Sequence, residues 1–144
     1  MITQGVCGSF RAELLNGYHA FSSAYRAADT FRIALYYDTA DLNPATTTVY
    51  TTTGEITAGG YAAGGLILTP TAPANSGITA YESFADAVWS STNIISAGAL
   101  IYNFTQANRA VCILNFGGNK TPTGGVFTVQ FPVNGPTSSV LRFY

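Results

Sequence analysis

Charged side chains are scarce in this chain. Only 9% of its 144 residues are Asp, Glu, Lys or Arg, against about 25% in ordinary globular domains. The basic residues Arg11, Arg26, Arg32, Arg109, Lys120 and Arg142 are scattered, and acids match them to a net charge of −1. Nucleic-acid binding draws on clustered cations that neutralise phosphates, so this pattern argues against a nucleic-acid partner. There is one histidine, His19, and only two cysteines, Cys7 and Cys112. That excludes zinc sites built from several His or Cys ligands and a disulfide-dense scaffold. No apolar run reaches the roughly 18–20 residues of a membrane span. The opening "MITQGVCGSF" lacks the basic and apolar regions of a signal peptide. What remains abundant is apolar and aromatic surface, 47% and 13% of residues. A charge-poor surface of this kind resists association weakly and suits a protein that packs against others.

The length fits one domain, 1–144, with an N-terminal segment over 1–28 and a β-rich body over 29–144. In "SFRAELLNGYHAF", Phe10, Leu14 and Tyr18 recur four apart, which predicts a short helix with Ser9 as N-cap and Asn16-Gly17 as its stop. From Asp29 the period becomes two. In "TFRIALYY", Phe31, Ile33, Leu35 and Tyr37 share one face. "TVYTTTGEI", "GGLILTP" and "ITAYESFADAVW" read as further strands, followed by "GALIYNF" and "NRAVCILNF" across the turn "TQAN". "GGVFTVQFP" and "SSVLRFY" complete the series, with "VNGPT" turning between them. "RAVCILNF" is apolar on both faces, as a covered central strand requires. Strands at this spacing without intervening helices predict an all-β fold: a jelly-roll-like β-sandwich or a partly open barrel with one short N-terminal helix. The expected core is Phe31, Ile33, Leu35, Trp89, Leu100, Val111, Ile113, Phe127, Val129 and Phe131. Cys112 falls inside an apolar strand as a small core residue; a Cys7–Cys112 disulfide is compatible with the sequence.

"LNFGGNKTPTGGVF" places glycine pairs around Lys120-Thr121, but a phosphate loop needs glycine directly before the lysine and a helix after it. Here Asn119 precedes Lys120 and a strand pattern follows, so the stretch reads as a hairpin turn. His19 has no motif that would supply triad partners and reads as a helix-end histidine. Glu82 and Asp86 could suggest acid/base work, but share a strand face with Phe84 and read as a solvated pair. Asp38, Asp41 and Asn43 lack the alternating ligand spacing of a calcium loop and fit Asx turns before Pro44. Asn103 in "NFT" matches a glycosylation acceptor, which matters only in a secreted chain. No catalytic, cofactor-binding or metal-ligating residue is assigned. Tyr36, Tyr50, Tyr61 and Tyr81 are expected at the surface, as candidates for protein or sugar contact.

A family resemblance covers most of the chain. The segments "SFRAELLNGYHAF", "DTFRIALYYDTADLNPATTTVYTTTGEI", "GGYAAGG", "FADAVWSSTNIISAGALIYNFTQANRAVCILNFGGNKTPTGGVFTVQFP" and "SSVLRFY" resemble, in order and spacing, a group of small structural proteins of tailed bacteriophages. "SSAYRAA" (22–28) departs from it as a longer link, as do the two cysteines. The resemblance implies a virion component, made in the host cytoplasm, with no enzymatic activity and no cofactor. Its expected role is a capsid decoration (cement) protein on the phage major capsid protein or other virion proteins, as a homo-oligomer and plausibly a trimer. A tail, collar or fibre-associated protein with receptor or glycan binding is the alternative.

Overall fold

The structure, a computed structural model, describes residues 1–91 and 93–144. Strands make up 38% and helix 6% of it, so the chain is all-β, as the period-two pattern requires. The antiparallel sheets are open, and none closes into a barrel.

The largest sheet has five strands in the order β1 (Gly5–Val6), β8 (Arg109–Lys120), β7 (Ser96–Asn103), β2 (Phe31–Tyr36) and β3 (Leu66–Leu68). A three-stranded sheet runs β10 (Leu141–Phe143), β5 (Thr79–Glu82), β4 (Ala74–Ser76), and β6 (Ala87–Trp89) pairs with β9 (Phe127–Val129). Aromatic rings tie the layers together. Phe21 stacks on Phe31 of β2 at 4.3 Å between centroids, Phe31 meets Phe84 at 6.4 Å, and Phe84 meets Phe131 at 5.5 Å. All ten expected core residues are buried.

Helix α1 (Gly8–Leu15) is shorter than the "SFRAELLNGYHAF" pattern. Cys7, not Ser9, occupies the N-cap, and no side chain caps the helix N-terminus. Ser9 Oγ is instead buried without a partner. The stop is where the sequence puts it: the Asn16 backbone N–H closes on the Ala12 and Glu13 carbonyls, and Gly17 takes φ 70°. Tyr18 therefore lies beyond the helix and is partly exposed, while Phe10 is buried and Leu14 packs against the core. The first 28 residues are part of the fold, since β1 supplies an edge of the large sheet and pairs Gly5 with Ile113.

Three strand expectations change. In β2, Ala34 and Tyr36 are buried together with Phe31, Ile33 and Leu35, because β2 is covered on both faces; Tyr37 falls outside the strand and is half-buried. "TVYTTTGEI" forms no strand, only isolated bridges at Val49 and Glu55. Threonine hydroxyls there take backbone donors, as Thr51 does from Thr53 N at 3.1 Å, and such local bonds compete with a ladder. "ITAYESFADAVW" splits into β5 and β6, which join different sheets. The "TQAN" turn stands: Gln106 C=O accepts from Arg109 N, with Ala107 and Asn108 at φ 50° and 57°, the twist a tight hairpin favours.

Candidate functional site

Two polar clusters lie inside the fold, and both draw on a small stock of charge. Three of the seven acids, Asp29, Glu55 and Glu82, are buried.

The first cluster pins the stretch after α1 to the β7–β8 turn. The His19 imidazole is fully covered between two partners, Glu13 Oε2 at 2.7 Å on Nε2 and Asn103 Nδ2 at 2.9 Å on Nδ1. Asn103 also donates to Asp29 Oδ2 at 2.8 Å and accepts from Gln106 N at 3.1 Å. Asp29 is held further by Arg26, by Ala20 N at 2.8 Å and by Gln106 Nε2 at 3.1 Å. Burial alone would raise the Asp29 carboxyl, but these donors outweigh it and hold it at about 2. Burial pushes His19 below its ordinary value, against the upward pull of Glu13. Arg109 closes the outer side at 3.4 Å from Glu13 Oε1. His19 is thus a histidine just past the helix end that packs inside as a strut and does not meet solvent. Both its nitrogens are taken, and no hydroxyl or thiol sits against it as a nucleophile would.

The second cluster corrects the tyrosine expectation. Glu55 accepts from Tyr61 Oη at 2.7 Å, Tyr50 Oη at 2.6 Å and Gly64 N at 2.7 Å. Tyr61 is buried, and its hydroxyl also accepts from Leu35 N at 3.0 Å. Tyr36 is fully buried and donates to the Thr51 carbonyl at 2.6 Å. Tyr50 is half-buried and stacks on Tyr102 at 4.7 Å. Tyr36 and Tyr61 therefore offer nothing to an outside partner. Tyr81 stays partly exposed, in register with Arg142 of β10. Glu55 explains the turn inward of Tyr61 and Tyr50, because a buried carboxylate needs donors and phenols supply them; Tyr36 is held by the Thr51 carbonyl instead.

The remaining candidates separate. Glu82 is buried and Asp86 exposed, so they form no solvated pair. Burial pushes Glu82 up to about 8, whereas Asp86 accepts from Phe131 N at 2.8 Å. Asn43 makes the expected Asx turn, accepting from Ala45 N at 2.9 Å, while Asp38 meets Asn119 at 3.0 Å. Asn103 is fully buried with its amide engaged, so the "NFT" acceptor is closed. Cys7 and Cys112 are buried free thiols, and burial raises Cys7 to about 11. Among the described residues, no group of three or more His, Cys, Asp or Glu side chains is placed to hold a metal ion.

The glycine-flanked stretch turns tightly at Gly124-Gly125, with φ 63° and 84° and Thr123 bridged to Val126. Its two arms do not pair with each other, since β8 joins β7 and β9 joins β6. They splay around an open groove of about 400 Å³, with Phe116, Phe127 and Val129 along it and Lys120 and Gln130 among its polar lining. Sequence reasoning found the turn but missed the groove, because the divergence of the arms is set by their distant partner strands.

No protein-family model, no curated protein and no solved structure matches the chain. The site therefore has to be read from its own chemistry. Asp29, Glu55 and His19 act as internal ties, and several large apolar side chains stand on the outer surface.

Proposed function

We propose that the chain is a non-enzymatic structural subunit of a tailed-phage virion. Its most fitting role is a decoration protein on the head shell, held to the major capsid protein as a homo-oligomer, with a trimer as the working assembly. One observation carries the reading: the chain has few charges, and large apolar side chains stand on its surface. Glu55, Asp29 and His19 are spent on internal ties, while Leu15, Tyr25, Ile67, Ile78, Phe104 and Val133 all stand more than half exposed. Exposed apolar side chains on a charge-poor surface favour burial against neighbours. Many copies binding the intact shell and not the ruptured one would stabilise it by mass action.

The groove beside Lys120 favours a second reading, a tail or fibre-associated protein that binds a receptor glycan. Its volume falls within the roughly 300–1,000 Å³ of small-ligand sites.

Deleting the gene from the phage separates the two. The decoration reading expects heads that assemble but lose infectivity on heating, with resistance restored by added purified protein. Heads of normal heat resistance that fail to adsorb to the host would overturn it in favour of the second reading.

A further inference from the structure

Glu82 has a carboxylate oxygen that nothing meets. Oε2 is buried without a partner, and the carboxyl is met only weakly, by Thr71 Oγ1 at 3.3 Å from Oε1 and by the Ser83 backbone. The residue sits at the end of β5 directly opposite Leu141 of β10, which is 1% exposed. In-register antiparallel partners share a sheet face, so Glu82 and Leu141 lie on the side where Phe143 approaches Phe10 of α1, 6.5 Å away. β10 is three residues long, forms the edge of its sheet and bonds to β5 alone.

Among the described residues, no cation pairs with this acid. Arg142 of β10 is in register with Tyr81, hence on the opposite face, and donates to the Thr137 carbonyl at 2.8 Å. On α1, Arg11 is exposed, and Glu13 is engaged with His19 and Arg109. Asp86, beyond β5, is exposed and holds Phe131 N. β4 carries no ionisable side chain.

We propose that Glu82 is a proton-operated latch on β10: with its proton it lets Leu141 close over it, and on losing that proton to solvent it drives the edge strand off. An ionised carboxylate with one oxygen unpartnered in this position must reach water. Displacing a three-residue edge strand breaks less than opening the five-stranded sheet. Burial, partly offset by the Thr71 hydroxyl and the Ser83 backbone, keeps Glu82 protonated up to about pH 8. That value lies above the unfolded one, 4.5. The latch therefore holds fully below about pH 4.5, weakens above it and is lost as pH rises through about 8. Cys7 titrates only near 11, which leaves Glu82 as the buried group that changes charge first on the alkaline side.

Hydrogen–deuterium exchange of the intact chain at pH 6.5 and 9.5, corrected for intrinsic rates, tests it. Peptides covering Leu141–Phe143 should lose protection about tenfold or more at pH 9.5, since each pH unit past the midpoint is worth tenfold in population. Those covering Val111–Ile113 should not. Glu82→Gln should make β10 protection equal at both pH values. Unchanged β10 protection in the wild type, or a pH response that survives in Glu82→Gln, overturns the latch. Should the variant fail to fold, the carbon-13 shift of the Glu82 carboxyl in the wild type decides. A midpoint near 8 supports the proposal, and one below 6 overturns it.

Discussion

Asn103 donates to His19 Nδ1 at 2.9 Å, and this bond decides which imidazole nitrogen carries the proton. Asn103 is oriented by its carbonyl, which accepts from Gln106 N, and by its second amide hydrogen, which goes to Asp29. Nδ1 must therefore accept, and Nε2 holds the hydrogen that goes to Glu13. A second proton on His19 would face the Asn103 amide hydrogens.

The acid-side consequence has a definite sign. His19 is lowered by burial below its ordinary value. Its contribution to stability is therefore present above about pH 6.5 and lost as pH falls below it. Urea denaturation at pH 7.5 and 5.5 should show this as a difference between the wild type and His19→Gln, a variant that does not titrate. An identical pH response in both would remove His19 as the cause.

Asp29 acts lower. Its carboxyl, at about 2 in the fold against 3.8 unfolded, gives stability that is present above about pH 4 and lost on acidification toward 2. Asp29→Asn should cost about 1–3 kcal/mol at pH 7, the range for a disrupted buried hydrogen-bond network, and should flatten the acid limb of the stability curve.

Ile113 is fully buried in β8. Ile113→Ala should cost about 2–5 kcal/mol in chemical denaturation. A change below about 0.5 kcal/mol, the level of an ordinary surface substitution, would remove it from the core.

Two glycines should respond differently. A Cβ on Gly65 would stand 1.7 Å from the Ile33 carbonyl oxygen, at φ 71°. Gly65→Ala should therefore prevent β3 from docking on β2, read as loss of cooperative thermal unfolding. At Gly124, also at positive φ, a Cβ meets nothing within 4 Å. Gly124→Ala should cost only the backbone term of about 1–2 kcal/mol.

Lys120 is exposed at the end of β8 and has no ion-pair partner among the described residues. Lys120→Ala should leave the melting temperature unchanged, and calorimetry should detect no ATP binding to either form. Micromolar ATP affinity lost on that substitution would overturn the turn reading.

What the sequence discloses here is local. Gly17 and the Asn108 turn announce themselves because positive φ restricts the residues that fit. The core of β2 is legible because Phe31, Ile33 and Leu35 repeat with the period of the strand, and that of β8 because its apolar run is continuous on both faces. Tyr36 and Tyr61 are misread because an aromatic with a hydroxyl suits either a surface or a buried acceptor, and the deciding acceptors, the Thr51 carbonyl and Glu55, lie 15 and 6 positions away. Glu82 is misread because its face is set by Leu141, 59 positions along the chain. Asn103 and His19 stand 84 positions apart, and no spacing rule joins them. Neighbouring residues do not separate the buried acids from the others: Asp41, between Ala40 and Leu42, and Asp86, between Ala85 and Ala87, are both exposed.

The seam between β1 and β8 sets an order of events during synthesis. Gly5 pairs with Ile113 and Val6 with Cys112, so the first strand waits for a partner made more than a hundred residues later. At roughly 5–20 residues per second, that wait lasts several seconds. Through it Phe10 and the Cys7 thiol, both wholly enclosed in the finished fold, are open to water and to other nascent chains. This interval, more than the stability of the final sheet, is when the protein is most exposed to aggregation, thiol oxidation and capture by chaperones.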